Sequence, residues 1–135
     1  MRNVIKIMMV DDHEMVIQGL KSLLENQPGV IIVGTFTSGL IATEEFLDLQ
    51  PDVILMDVHM PIVNGFEALE LIKEKDNDAR VLMLSMEVKK PYVKKAHQLG
   101  ASGYVSKSAP IDDLVAAIRK VHEGGEAFSV LNIGQ

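Results

Sequence analysis

Apolar residues along this chain gather into short runs separated by longer, periodic stretches. The runs are Val4 to Val10, Val30 to Val33, Val53 to Met56, Val81 to Leu84, and Tyr104 to Val105 with its neighbours. Several are rich in Val and Ile and nearly continuous rather than alternating. Strands covered on both faces have that pattern, which is the condition of a parallel sheet. Between the runs the spacing becomes helical. Met15, Ile17, Leu20, Leu23 and Leu24 mark a first helix, stopped by Pro28 and Gly29. Leu40, Ile41, Phe46 and Leu47 mark a second, with Ser38 placed to cap it. Phe66, Leu69, Leu71 and Ile72 mark a third; Val93, Ala96 and Leu99 mark a fourth, from near Pro91 to Gly100. Leu114, Ala117, Ile118 and Val121 mark a fifth between Pro110 and Gly124. Its first turn carries Asp112 and Asp113, where the helix dipole favours acids.

Strand and helix in alternation imply right-handed crossovers and a doubly wound α/β sheet of five parallel strands flanked by five helices. By analogy with known sheets of this kind the strand order is expected to be 2-1-3-4-5. A ligand then sits at the carboxyl ends of strands 1 and 3, where the order reverses.

Composition narrows the class. The 135 residues fit one domain, and 47% apolar with 24% charged residues is ordinary for a soluble globular protein. No apolar run nears the roughly 18 residues of a membrane span. The N-terminal stretch reaches Asp11 and Asp12 before any secretory cleavage pattern. A cytoplasmic location with no membrane partner is the expectation. The absence of cysteine excludes disulfides and thiolate metal sites. A net charge of −6 argues against this chain gripping nucleic acid by itself. After Gly124 and Gly125 the helical period is lost. The domain is therefore expected to span 1–124, with 125–135 the start of a linker or a C-terminal extension.

The candidate chemistry lies at the strand ends. Asp11 and Asp12 follow strand 1, Asp57 ends strand 3, Ser85 ends strand 4, and Lys107 follows strand 5. Three carboxylates forced together repel, and a divalent cation resolves the repulsion. Carboxylate, carbonyl and water ligation suits Mg²⁺. Asp12 and Asp57 are expected to ligate it directly, with the backbone carbonyl of His59 as a third ligand and Asp11 holding a metal-bound water. Asp57, the central acid, is the candidate nucleophile for an acyl phosphate. Lys107 would neutralise phosphoryl charge, and the Ser85 hydroxyl would bond the new phosphoryl group and draw its loop inward. Tyr104 would then swing from an exposed position into the vacated space.

Simpler roles exist for each residue alone. Asp11 and Asp12 could cap the first helix, Asp57 could end a strand, Lys107 could be a surface lysine, and Tyr104 a packed edge aromatic. Met8, Met9, Met56, Met83 and Met86 read as core filling. The four histidines are too scattered for a metal cluster; His13 and His59 flank the acids, where zinc through them is the lesser alternative, and the oxygen ligand set needs neither ring. The "VKKPYVKK" run reads as a solvated helix face that could instead steer an acidic partner. Three rival functions share the fold. An aspartyl phosphatase of the haloacid dehalogenase type needs its acids two apart after strand 1, whereas here they are adjacent. A flavin module needs a neutral phosphate loop, where "DDHEMV" is anionic. A scaffold of this fold that is never phosphorylated would not need every site residue.

The pieces "VDDH", "DVHMPIVNG", "LS" at 84–85 and "GASGYVSK" together resemble the receiver domain of two-component response regulators. The likeness runs from residue 3 to about 124. "DDHEMVIQGLKSLLE", "VGTFTSG" and "LGASGYVSKSAPIDDLVAAIRKVHEGG" are similar to the NarL/LuxR type. The resemblance implies a flavodoxin-like fold and phosphotransfer from a sensor histidine kinase to Asp57 with Mg²⁺. It makes the chain a phospho-acceptor that assists its own phosphotransfer and dephosphorylation, without conventional turnover. His59 and Glu87, each two residues beyond a site residue, occupy the positions that set dephosphorylation rates. The resemblance further implies homodimerisation on phosphorylation. It implies transcriptional output through a C-terminal helix-turn-helix domain absent from this chain, the alternative being a stand-alone regulator acting by protein contact. Ser108 stands where many receivers carry proline after the lysine, and Ser85 where threonine is commoner.

Overall fold

The computed structural model describes residues 4–128. Its strands are β1 (Ile5–Val10), β2 (Val30–Phe36), β3 (Val53–Asp57), β4 (Val81–Ser85) and β5 (Gly103–Ser106). The helices between and after them are α1 (Glu14–Glu25), α2 (Gly39–Leu49), α3 (Gly65–Lys75), α4 (Lys90–Gln98) and α5 (Ile111–His122). All pairings are parallel and the sheet order is β2-β1-β3-β4-β5, as expected from the alternation.

The continuous apolar runs have a direct cause. Successive side chains of a strand point to opposite faces. Met8, Val10, Ile54, Met56 and Met83 face a core built with α2, α3 and α4. Ile7, Met9, Val53, Leu55 and Leu82 face a second core built with α1 and α5. Each such side chain is worth about 1.5–3 kcal/mol when buried, so the central strands β3 and β4 stay apolar on both faces until their last residues, Asp57 and Ser85. The polar residues begin where helical cover ends.

The helices follow the sequence with two adjustments. Ser38 caps α2, its hydroxyl accepting from the Ile41 amide at 3.2 Å. However, α2 buries Gly39, Ala42, Thr43 and Phe46, while Leu40, Ile41 and Leu47 are about half exposed. The buried face pairs the small Gly39, Ala42 and Thr43 with the single large ring of Phe46, and the three aliphatic residues Leu40, Ile41 and Leu47 turn outward. On α1, Met15 is 87% exposed and Leu23 is exposed too, although both were counted as marks of the buried stripe.

Beyond Gly124 the chain stays on the domain through the last described residues. The Ala127 amide donates to the Ser102 carbonyl at 2.9 Å, and its carbonyl accepts from the Tyr104 amide at 3.1 Å. This short bridge extends the sheet past β5. Gly103 makes it possible, because a β-carbon there would lie 2.9 Å from that of Ala127. Phe128 is buried against the edge of the His97 ring, with centroids 5.1 Å apart. The rest of the expected linker, 129–135, lies outside the described residues, as do residues 1–3. Among the described residues no helix is long and apolar enough to cross a membrane.

Candidate functional site

The five strand-end residues converge. Lys107 bridges two acids: its ammonium donates to Asp11 Oδ2 at 2.6 Å and lies 3.0 Å from Asp57 Oδ1. Asp11 and Asp57 are almost fully buried at 4% and 3% exposure, and Ser85 is completely buried. The tip of β5 is held to β4 by the Lys107 amide, which donates to the Ser85 carbonyl at 2.9 Å. The tip of β3 is fixed likewise, with the Val58 amide on the Leu84 carbonyl at 3.0 Å. Three adjacent strands thus present Asp57, Ser85 and Lys107 from rigid backbone, and β1 adds Asp11 and Asp12 from its carboxyl end.

Asp11 and Asp12 do not cap α1. The N-cap is His13, and it makes no side-chain cap bond. Asp11 Oδ1 instead accepts from the His13 amide at 2.9 Å, a local turn that aims the carboxylate back over the sheet. One ligand atom from each of Asp11, Asp12, His13 and Asp57 lies within 4.8 Å of the others.

The electrostatics are unbalanced in the direction of a missing positive charge. Burial raises the Asp57 carboxyl above its ordinary value; the Lys107 hydrogen bond opposes this, and the charge of Asp11 adds to it. Lys107 is raised despite burial, which works against the ammonium, because hydrogen bonds to Asp11 and Asp57 outweigh it. One ammonium therefore does not offset the acids around it. Two oxygens record the deficit: Asp57 Oδ2 and Asp12 Oδ1 are buried and accept no hydrogen bond. A buried carboxylate oxygen without a partner is costly, and a small divalent cation removes the cost. The donor set fits one that prefers oxygen.

Other expected residues take positions of their own. The His59 amide donates to Asp57 Oδ1 at 3.3 Å, which puts its backbone at the rim of the acids. Its ring turns away, 3.5 Å from Glu87 Oε1 and edge-on to Tyr92. Glu87 pairs with Lys89 at 2.9 Å, which lowers its carboxyl and raises the Lys89 ammonium. Residue 87 therefore faces His59 and the basic run rather than the acids. Within that run Lys95 lies over the Phe66 ring at 4.9 Å. No peptide bond among the described residues is cis, and Ser108 follows Lys107 directly.

Two expectations need correction. Tyr104 is not exposed: its ring is 1% accessible and its hydroxyl donates to the Glu87 carbonyl at 2.6 Å. A satisfied hydroxyl is what allows the ring to be buried. Met86 is not core filling, being 67% exposed beside the site; Met8, Met9, Met56 and Met83 are core. The ring of His13 flanks the acids as expected, with its Nδ1 3.1 Å from Asp12 Oδ1 and 3.3 Å from Asp11 Oδ1. The signal was its position directly after Asp12. What the sequence did not reveal was that the chain turns there to begin α1.

Comparison with known proteins gives consistent results. A family model described as response regulator receiver domain matches residues 7–119. The chain is 36% identical over 125 residues to the transcriptional regulatory protein MctR of Rhizobium johnstonii, covering 93% of this chain and 58% of that protein. It is 38% identical over 120 residues to the response regulator UvrY of Escherichia coli, covering 89% and 55%. It thus spans a little over half the length of these curated relatives. Among solved structures, a LuxR-family two-component response regulator from Aurantimonas sp. SI85-9A1 superimposes with a TM-score of 0.90 at 36% identity, covering 93% of this chain and 90% of that one. The signal receiver domain of a NarL regulator from Mycobacterium tuberculosis gives 0.85 at 27% identity, with coverage of 90% and 98%.

Proposed function

The chain belongs to the response regulator receiver domain family, and from that premise we propose that it accepts a phosphoryl group on Asp57 from a sensor histidine kinase. The observation that carries this reading is the buried Asp57 carboxylate. One oxygen is held by Lys107 at 3.0 Å and the other has no hydrogen bond. An oxygen fixed in direction and unspent in bonding is suited to attack phosphorus. As its P–O bond forms, the P–N bond of the partner's phosphohistidine breaks, and the imidazole nitrogen leaves with the electron pair.

The remaining residues have assignable parts. Lys107 places its charge beside the phosphoryl oxygens and holds Asp57 in direction. Ser85 would give its proton to a phosphoryl oxygen, while its own oxygen accepts from the Glu87 amide at 2.9 Å and its hydroxyl faces that of Tyr104. Asp12, Asp57 and the His59 carbonyl would hold Mg²⁺, with Asp11 through water; when bound, it offsets the negative charge gathered on the acids and the phosphoryl group. His59 and Glu87 pair with each other at 3.5 Å away from the acids, so any effect of theirs on hydrolytic water would need the β4–α4 loop to move. The domain accepts and releases a phosphoryl group without turning over a small substrate. The name of MctR, a transcriptional regulatory protein, supports transcriptional output; a DNA-binding segment beyond this domain and self-association on phosphorylation complete the reading, the alternative being a stand-alone regulator acting by protein contact.

Incubation with acetyl phosphate and Mg²⁺ should add about 80 Da, one phosphoryl group, and peptide mapping should place it on Asp57. Asp57→Asn should remove the label and keep the fold by circular dichroism. A label on another residue, or none under conditions that label a control receiver, overturns the reading.

A further inference from the structure

We propose that the His13 ring is a further ligand donor, one that makes the acid cluster take borderline transition-metal cations, with Zn²⁺ and Co²⁺ as working examples. The inference rests on the reading of the cluster as a divalent-cation site. It concerns a residue that the oxygen-only ligand set does not use.

Geometry is the first argument. His13 heads α1, yet its side chain makes no cap bond there. The ring instead turns toward the acids, with Nδ1 at 3.1 Å from Asp12 Oδ1 and 3.3 Å from Asp11 Oδ1. Metal–ligand bonds of about 2.1 Å put neighbouring octahedral donors about 3.0 Å apart and opposite ones about 4.2 Å apart. The two observed separations match the neighbouring spacing. The widest separation in the set is within 4.8 Å, so side-chain shifts of a few tenths of an ångström close it.

Free bonding capacity is the second argument. Lys107 engages Asp11 Oδ2 and Asp57 Oδ1. Asp57 Oδ2, on a residue 3% exposed, and Asp12 Oδ1 make no hydrogen bond. Even the 3.1 Å approach of the ring to Asp12 Oδ1 is not aligned as one. The ring and Asp12 Oδ1 are thus near neighbours without a hydrogen bond, while Nδ1 is within hydrogen-bond distance of Asp11 Oδ1 at 3.3 Å, a contact that a bound cation would replace. Two lone-pair donors held together in that way suit a shared cation.

The consequence is selectivity. Three carboxylates form an oxygen set that suits Mg²⁺, and a neutral nitrogen adds little for that ion. For Zn²⁺ and Co²⁺ an imidazole is a preferred ligand. The His13 side chain is 66% exposed, so removing it leaves no cavity in the core.

The test is isothermal titration of the full chain with Mg²⁺, Co²⁺ and Zn²⁺ separately, using wild type, His13→Ala and His97→Ala. His97 lies on α4 against Phe128 and Glu126 and serves as the histidine control. His13→Ala should lower Co²⁺ and Zn²⁺ affinity by at least about tenfold, the lower end of what even an outer partner of a ligand contributes. Mg²⁺ affinity should stay within about twofold, and the visible Co²⁺ spectrum should shift as nitrogen is lost. His97→Ala should change nothing. Equal loss for all three cations, or no loss, overturns the role of the ring. Zn²⁺ binding that survives in the His13→Ala, Asp57→Asn double variant also overturns it, since that binding is elsewhere. Failure of wild type to bind Mg²⁺ instead counts against the cation site itself.

Discussion

Gly65→Ala tests whether the geometry of Asp57 depends on one close approach of two backbones. Gly65 opens α3, and its amide donates to the Val58 carbonyl at 2.9 Å. A β-carbon at this position would lie 2.1 Å from the Asp57 carbonyl oxygen, 2.8 Å from the Val58 α-carbon and 2.9 Å from the Asp57 carbonyl carbon. All three obstacles are main chain, so no rotamer change relieves them. Unbonded heavy atoms settle at about 3.5 Å, so the start of α3 and the end of β3 must separate by about 1.4 Å. Overpacking on this scale costs about 1–3 kcal/mol, which for a domain of this size lowers Tm by roughly 3–5 °C per kcal/mol. The functional loss should be larger than the stability loss implies, because a shift of about 1 Å at a reacting group costs on the order of a hundredfold in rate. Urea denaturation measures the first effect, and the initial rate of acetyl phosphate labelling measures the second. Gly19→Ala is the control. A β-carbon there meets nothing within 4 Å in the interior of α1, and the change should stabilise by about 0.5–1 kcal/mol. Wild-type stability and labelling in Gly65→Ala would refute the argument, as would equal damage from Gly19→Ala.

Tyr104→Phe should cost about 0.5–1.5 kcal/mol at neutral pH through the lost hydrogen bond. Burial raises the phenol above 10.0, so the folded state keeps this proton longer than the unfolded one. Its contribution is complete below 10.0 and is lost as pH rises through the folded value. Denaturation curves from about pH 9 to 11.5 should therefore fall less steeply for Tyr104→Phe, and identical slopes would contradict the assignment. Phe128→Ala should destabilise by about 3 kcal/mol and remove exchange protection from the Ala127 amide; undiminished protection would show that the ring does not hold the last segment down. Ser85→Ala combined with Tyr104→Phe should show a coupling energy of about 0.5–3 kcal/mol in a double-mutant cycle, since the two hydroxyls face each other and both hold Glu87, whereas strict additivity would deny that the three form one network.

Much of this was legible in the sequence because both governing patterns are local. A strand buried on both faces must be apolar at every position, so Val53 to Met56 and Val81 to Leu84 announced themselves, and the first polar residue after each marked the site. The α3 cap was equally legible but passed unread. Asn64 and Glu67 form a reciprocal capping box, a spacing of three that needs no structure to see. What resisted reading depends on distant partners. Nothing near Ala127 says that it pairs with β5, because the permission comes from the missing side chain of Gly103. Nor does anything near Tyr104 say that its hydroxyl finds the Glu87 carbonyl, 17 residues away. The outward turn of Leu40 and Ile41 arises the same way: the face of α2 that carries Ala42 and Phe46 joins the core shared with α3, and Leu40 and Ile41 lie off that face.

The burial of Tyr104 changes how a switch in this domain must operate. A ring that swings into vacated space responds to room. A ring already inside responds to bonds. The Glu87 amide donates to Ser85 Oγ at 2.9 Å, and the Glu87 carbonyl accepts from Tyr104 at 2.6 Å. One residue of the β4–α4 loop is therefore gripped from β4 and β5 at once. Turning the Ser85 hydroxyl toward a phosphoryl group alters the lone pair that serves the Glu87 amide, and any movement of Glu87 withdraws the acceptor from Tyr104. A buried hydroxyl left without a partner costs about 1–3 kcal/mol, so ring and loop must move together or not at all. The Tyr104 amide is in turn bonded to the Ala127 carbonyl at 3.1 Å. The connection from Ser85 to the segment leaving the domain thus runs through consecutive hydrogen bonds, and its coupling comes from the cost of leaving one of them unmade.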